Sequence, residues 1–313
     1  MALDEIDRRV IGALQVDGRA SWRRIAGIIG VPVSTVVRRG NALLESQAVR
    51  IGVVRSTRTV LLEVQANAAD VDAIARALAA RESSIFVYVL GSPLRILVEE
   101  QAPPEYADLI LRDIPSIPGV TGMAVIPMLE YYRTLSGWMP GQLTGDEAHA
   151  LNPDFGRPPL IDQPLLELDD GDEAILAALE RDARASAIDI AEIVGLSESA
   201  VRRRLSVLIG GAVDVRAIIA PSTLGLPIAG FVWLRVPPAA VASVSAALQA
   251  SPFVRYAAFI LADEQILVDV AVPTVTELRR FLTESPWSTQ VDGIRAASVV
   301  AAYKRSGVLV REA

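Results

Sequence analysis

The sequence predicts an α+β fold built twice along one chain, each half a trio of short helices followed by a β-rich segment. Three observations carry that expectation. The first is an internal repeat. Residues 3–49 read LDEIDRRVIGALQVDGRASWRRIAGIIGVPVSTVVRRGNALLESQAV, and residues 168–213 read LDDGDEAILAALERDARASAIDIAEIVGLSESAVRRRLSVLIGGAV. Leu3 matches Leu168, Asp7 matches Asp172, Leu14 matches Leu179, Ala20-Ser21 matches Ala185-Ser186 and Gly30 matches Gly195, each pair 165 positions apart. At Val49 and Val213 the offset is 164, so the first copy carries one extra residue. The second observation is that apolar residues recur at helical spacing inside each repeated unit and give way to strand-like runs after it. The third is the stretch from 134 to 166, where Pro140, Pro153, Pro158, Pro159, Pro164 and several glycines break any period, as in a linker.

Within the first copy, Ile6, Val10 and Leu14, with Ala13 beside them, line one helix face that Gly18 can end. Ile25, Ala26 and Ile29 give a second stripe stopped by Gly30, and Val36 and Leu43 face inward on a third. The second copy repeats this with Ile175 and Leu179, then Ile190, Ala191 and Val194, then Val201, Leu205 and Leu208. A short helix, a glycine turn and another short helix make a helix-turn-helix, the glycine permitting a sharp turn without a side-chain clash. Ser197 is placed to cap the third helix of the second copy.

After each trio the pattern reads strand, helix, strand, strand, helix, strand. In the first copy these are 60–64, 69–80 with Val71, Ile74, Ala75 and Leu78 inward, 85–90, 94–99, 104–114 started by Pro103-Pro104, and 120–126. In the second they are 231–236, 239–248, 254–261, 265–272, 275–282 and 294–301. That order is the ferredoxin-like βαββαβ unit, whose sheet is covered by helices on one face only. The open face must find another sheet, within or between chains. The expected division is therefore a winged helix-turn-helix over 1–55, a ferredoxin-like domain over 56–133, a linker over 134–166, a second winged helix-turn-helix over 167–220 and a second ferredoxin-like domain over 221–313.

Composition narrows the function classes. The chain has 313 residues, long enough for several domains, and 51% are hydrophobic, yet no apolar run nears the roughly eighteen residues that cross a bilayer. The opening MALDEIDRR is acidic without an apolar core, which suggests a cytoplasmic protein. There is no cysteine, so disulfides, thiolate catalysis and cysteine zinc sites are excluded. The one histidine, His149, falls in the linker. Net charge is −7, but its distribution is uneven. Between Arg19 and Arg50 six arginines stand against the single Glu45, a local +5, whereas four arginines between Arg184 and Val215 are balanced by Asp189, Glu192, Glu198 and Asp214. A local basic field is what attracts phosphate.

The segments LDEIDRRVIGALQVDGRAS, IAGIIGV and VVRRGNALL, repeated as LDDGDEAILAALERDARAS, IAEIVGLS and AVRRRLSVLIGGAV, resemble the Lrp/AsnC (feast/famine) transcriptional regulators. The resemblance covers both copies. Such regulators usually carry one copy and dimerise through the sheet domain, so a tandem chain looks like a covalently joined dimer. The resemblance implies a sequence-specific DNA-binding regulator, with a small-molecule effector such as an amino acid held near the turn between the second and third strands. It implies double-stranded DNA as partner, a homo-oligomer of two chains or more, and no cofactor or metal. The chain departs from the pattern at several points. Pro32 replaces a capping serine, and Gly40 stands where an apolar residue faces the core. The turn reads Gly91-Ser92-Pro93 in one copy and Ala262-Asp263-Glu264 in the other, where the family has glycine and then an acid.

Ser34, Thr35, Val37, Arg38 and Asn41 fall on the outer face of the first copy's third helix, with Ser199, Ala200, Arg202, Arg203 and Ser206 as counterparts. Such a helix docks in the major groove, where arginine reads guanine and hydroxyls reach bases or phosphates. Glu198 stands four residues before Arg202 and can pair with it instead. Arg39 and Arg204 either touch DNA or brace the domain, Arg19 and Arg184 are candidate phosphate contacts, and Trp22 is assigned to the core. Gly91, Ser92, Arg95, Asp263 and Glu264 are the candidate effector contacts, the plain alternative being ordinary hairpin turns. Two rival functions remain. One is an enzyme like the siroheme decarboxylases, which share the plan but are expected to need histidine, arginine and tyrosine around a tetrapyrrole. The other is an assembly protein whose DNA readers have decayed.

Overall fold

Each repeated trio folds into three helices, and the β-rich segments of both copies join one sheet. The computed structural model describes residues 3–102, 106–162 and 164–310. In chain order the first copy runs α1 (Glu5–Val16), α2 (Trp22–Ile29), α3 (Val33–Glu45), β1 (Arg50–Arg55), β2 (Thr59–Ala66), α4 (Val71–Ala80), β3 (Ser84–Leu90), β4 (Arg95–Gln101), a π-helical turn (Leu109–Asp113) and β5 (Val120–Arg133). A 3-10 turn (Leu135–Gly137) and α5 (Gly145–Leu151) follow. The second copy runs α6 (Asp170–Arg181), α7 (Ala187–Val194), α8 (Glu198–Gly211), β6 (Val213–Ile218), β7 (Ile228–Arg235), α9 (Val241–Ala250), β8 (Val254–Ile260), β9 (Ile266–Val272), α10 (Val275–Glu284), β10 (Gly293–Arg305) and β11 (Val308–Leu309). The chain divides by kind rather than by copy. A helical unit gathers residues up to 56, 139–157 and 162–224, and a β unit gathers 57–138, 158–161 and 225 onward.

Local chemistry sets the ends of the helices. Asp4 accepts the Asp7 amide while Asp7 accepts that of Asp4, a capping box repeated by Asp169 and Asp172 at α6. Ser21 and Ser186 cap α2 and α7, and Gly30 (φ 68°) and Gly195 (φ 71°) end them in the left-handed region. Ser197 caps α8 by accepting the Ala200 amide, whereas Pro32 gives α3 no side-chain cap. The glycine at position 40 has a packing reason. A Cβ built there would lie 2.4 Å from the Trp22 ring, which fills the space. At the matching positions of the second copy the sizes are exchanged, with Leu205 buried and Ala187 in place of the tryptophan.

The expected wings are single strands, one from each copy, paired with each other. Gly52 is opposite Arg216, its own repeat equivalent, with Arg50 opposite Ile218 and Val54 opposite Asp214. This register places a local two-fold at Gly52 and Arg216. Ile51 and Val53 of the first copy pack on the second copy's helices. The 134–166 stretch is not featureless. Thr144 and Glu147 form a capping box for α5, Glu147 pairs with Arg9, and a Cβ at Gly12 would lie 2.6 Å from that of Gln142.

In the β unit, β2 lies between β4 and β5, and β7 between β9 and β10. The strands expected at 120–126 and 294–301 run further, as β5 and β10, and each changes partner midway. β5 leaves β2 after Pro127 and pairs with β8 from Met128, while β10 leaves β7 after Ser298 and pairs with β3 from Val299. The two crossings close the sheet into a barrel. The open faces thus find each other within one chain, around Phe86, Tyr88, Phe231, Trp233 and Tyr256. Ile161, from between the copies, packs against this interior. Helices cover the outside, α4 over the first copy's strands and α9 with Phe281 of α10 over the second's. Of the helix expected at 104–114 and started by Pro103-Pro104, residues 103–105 lie outside the described residues, and Leu109–Asp113 form a π-helical turn.

Glu99 and Asp269 occupy equivalent interior positions, opposite Leu61 and Phe231. Asp269 is bonded to Arg255 at 2.8 Å. Among the described residues Glu99 accepts only from the Thr59 hydroxyl at 2.7 Å, which also meets the Tyr131 hydroxyl at 2.7 Å. Burial pushes the Glu99 carboxyl up to about 7.

Candidate nucleic-acid interface

After the turn at Gly30, α3 packs Val36, Gly40 and Leu43 inward and leaves its other side toward solvent. Ser34, Arg38 and Asn41 are exposed on it, and Thr35 and Val37 are half-buried. Among the described residues Arg38 makes no ion pair or side-chain hydrogen bond, and neither do Arg23 at the start of α2 or Arg50 at the start of β1. Their charge is directed to solvent. On α8 the counterparts Ser199, Arg202 and Arg203 are exposed. Arg202 is taken by Glu198, with Nε 2.7 Å from its carboxylate, while Arg203 is unpaired among the described residues.

Arg39 turns inward. It lies 2.7 Å from Asp4 and 3.3 Å from Asp7, so it joins α3 to the capping box of α1. Arg204 does the same in the second copy, 2.7 Å from both Asp169 and Asp172. Its bonds hold the Asp169 carboxyl below the usual range. The geometry gives Arg39 the bracing role of the two left open by the sequence.

Arg19 and Arg184 are also not aimed at solvent. Arg19 donates to the carbonyls of Ala183 and Ala185 at 2.6 and 2.8 Å, and Arg184 donates to those of Gly18 and Ala20. The Arg184 guanidinium also lies 4.5 Å from the centre of the Trp22 ring. Arg19 and Arg184, expected at phosphate, form a reciprocal clasp between the two trihelical units in this structure. Arg24 is likewise occupied, bonding the carbonyls of Ala150 and Leu151 at 3.0 and 2.8 Å. Sequence reasoning missed both arrangements. Their one visible signal was the identical repeat position of Arg19 and Arg184.

In the β unit, Arg95 is 3% exposed. Its Nε lies 3.2 Å from Glu63, and Nη1 donates to the carbonyls of Ser92 and Pro93 at 3.3 and 3.2 Å. Nη2 has no partner. Arg295 lies 3.1 Å from Glu63 and 3.4 Å from Glu264. Both guanidiniums lie over Trp233, at 5.0 Å for Arg95 and 3.9 Å for Arg295. Arg95 and Glu264 are thus brought into one cluster by Glu63 and Arg295, which sequence reasoning passed over. Gly91 faces the hydroxyl of Ser298, Ser92 is exposed, and Asp263 is exposed and outside the cluster. Glu63 carried a signal, an acid placed inside the apolar run Val60–Val64.

The AsnC-type helix-turn-helix domain matches the chain twice, over residues 3–44 and 168–209. An uncharacterised HTH-type transcriptional regulator of Pyrococcus abyssi is 32% identical over 146 residues, covering 45% of this chain and 91% of that protein. One from Pyrococcus horikoshii is also 32% identical over 146 residues, with the same coverage. Among solved structures, the siroheme decarboxylase NirDL superposes with a TM-score of 0.65 over 96% of this chain and 93% of that one, at 12% identity. At that identity the likeness is one of fold.

Proposed function

The chain belongs to the Lrp/AsnC family of helix-turn-helix transcriptional regulators, and we propose that it binds DNA by setting α3 in the major groove, each half of its barrel being a ferredoxin-like βαββαβ unit. Arg38 carries this reading, as an exposed arginine, unpaired among the described residues, on the outer face of the helix that follows the turn. Arginine there can bond guanine through two donors, with Ser34, Thr35 and Asn41 reaching bases or phosphates beside it. On α8, Ser199 and Arg203 hold the matching positions. Selection of bound duplexes from a random pool, followed by footprinting, tests the reading. A defined site is expected, and Arg38→Ala should relax the preference at one base position. Equal affinity for every duplex, unchanged by Arg38→Ala, would remove it.

Arg95, Glu63, Arg295, Glu264 and Trp233 are the proposed effector contacts. The unpartnered Nη2 of Arg95 is a buried donor suited to a carboxylate, such as that of an amino acid. Association of two or more chains belongs to the same proposal, with the number of chains set by light scattering. No chemical step is assigned. The barrel strands contain no histidine, and His149 is exposed on α5. Among the described residues, no helix is long and apolar enough to cross a membrane.

A further inference from the structure

The two helix-turn-helix units share their packing side and differ on their outer side. Three arginines of the first copy, of which Arg23 and Arg50 are unpaired among the described residues, have unlike counterparts in the second. In a helix-turn-helix the first helix crosses the DNA backbone, and arginines and helix N-termini bind phosphate there. At the start of α2 stand Arg23 and Arg24. The same repeat positions at the start of α7 hold Ile188 and Asp189. Ile188 is 51% exposed.

The Ser186 hydroxyl and the Ser186 amide, the latter 3.1 Å from the Asp189 carboxylate, hold that carboxyl below the usual range. An ionised carboxylate therefore occupies the positive end of α7, where a phosphate would approach. The third position is Arg50, whose counterpart is Asp214, bonded to Arg216 at 2.9 Å. Further along α7, Glu192 is exposed and Ile193 is 58% exposed. On the recognition helices the contrast continues. The first turn of α3 contains no acid, whereas α8 begins with Glu198, which engages Arg202.

The inner side of the second unit is complete. It supplies β6 to β1, offers the Ala183 and Ala185 carbonyls to Arg19, and binds Arg55 through Glu173 and Glu180, each at 2.8 Å. We infer that the first helix-turn-helix alone reads DNA and that the second is its structural mate, so that one chain covers one half-site and a palindromic operator takes two chains. This rests on the DNA-binding reading above and assigns the contact to one copy.

The test uses the full chain and the duplex selected for it, with binding titrated at several salt concentrations and folding monitored by circular dichroism. Arg23→Ala and Arg38→Ala should each weaken binding about tenfold, and Arg23→Ala should lower the salt slope by about one. Arg203→Ala should stay within about twofold of wild type and leave the slope unchanged. Ile188→Arg should tighten binding, steepen the slope and lengthen the footprint, since it places the first copy's Arg23 at an exposed position that plays no part in the clasp. A loss from Arg203→Ala equal to that from Arg38→Ala, or a protected segment that vanishes only in Arg203→Ala, would overturn the inference while leaving DNA binding standing. Absence of any preferred duplex for the wild-type chain would instead overturn the DNA-binding reading, and this inference with it.

Discussion

Arg19 and Arg184 occupy the same position in the two copies, and each donates to two backbone carbonyls of the other copy. The exchange is reciprocal, as across a dimer two-fold, and the pairing of Gly52 with Arg216 places a local two-fold in the same unit. Each arginine satisfies carbonyls in the loop between the first two helices of the other copy, where no intrahelical donor is available.

This clasp predicts a stability effect. Arg19→Ala removes two charge-assisted bonds and should lower stability by about 1–3 kcal/mol in chemical unfolding. Arg184→Ala should cost more, because it also uncovers the Trp22 ring. If Arg19 contacts phosphate instead, Arg19→Ala will leave stability unchanged and flatten the salt dependence of DNA binding.

Trp22 and Gly40 form a size-matched pair whose counterpart is Ala187 and Leu205. Gly40→Leu alone should destabilise by about 1–3 kcal/mol, because the new side chain meets the indole. Trp22→Ala alone should also destabilise, by opening a cavity. The double variant reproduces the second copy's arrangement and should be more stable than either single variant. Strictly additive losses in a double-mutant cycle would show that the two positions are not coupled.

The trihelical units were legible because each buries one stripe at helical spacing, and the repeat showed that stripe twice. The inward turn of Arg39 and Arg204 also had a visible sign, since Asp4 with Asp7 and Asp169 with Asp172 stand at matching positions in both copies. The barrel was not legible. Period-two alternation identifies the faces of a strand but not its neighbour, so nothing marks where β5 leaves β2 for β8 or β10 leaves β7 for β3. The helix α5 was hidden by its length, with only Ala148 and Leu151 buried along seven residues. Its one signal was the capping box of Thr144 and Glu147. The shared repeat position of Arg19 and Arg184 was not enough to reveal their clasp, because an arginine bonding a distant carbonyl looks, in sequence, like any surface arginine.

Glu99 predicts a pH effect of definite sign. Its carboxyl is raised from 4.5 to about 7 in the folded chain, so between those values the native state holds a proton that the unfolded state has lost. Its contribution to stability is fully present below about 4.5 and is lost as pH rises through about 7. Glu99→Gln keeps a neutral hydrogen-bonding side chain and removes the titration. The stability of this variant relative to wild type should rise across that window, by on the order of 2–3 kcal/mol. Chemical unfolding at a series of pH values measures it, and a constant difference across the window would mean that Glu99 stays ionised in the barrel.

The cluster at Trp233 yields the test of the effector proposal. Glu63 is the shared acceptor of Arg95 and Arg295, and Arg95 is 3% exposed. Glu63→Gln would leave the buried Arg95 without its carboxylate, a loss of about 3 kcal/mol. An added carboxylate that reaches Arg95 would replace what was removed and stabilise the folded state by mass action. The thermal midpoint of Glu63→Gln should therefore recover as free amino acids are added at millimolar concentration, and should recover less in chloride of equal ionic strength. Arg95→Gln, which lacks the cation, should show no such recovery. Equal recovery in chloride would mean that the added salt acts by screening alone, and that the cluster is a structural ion network rather than an effector site.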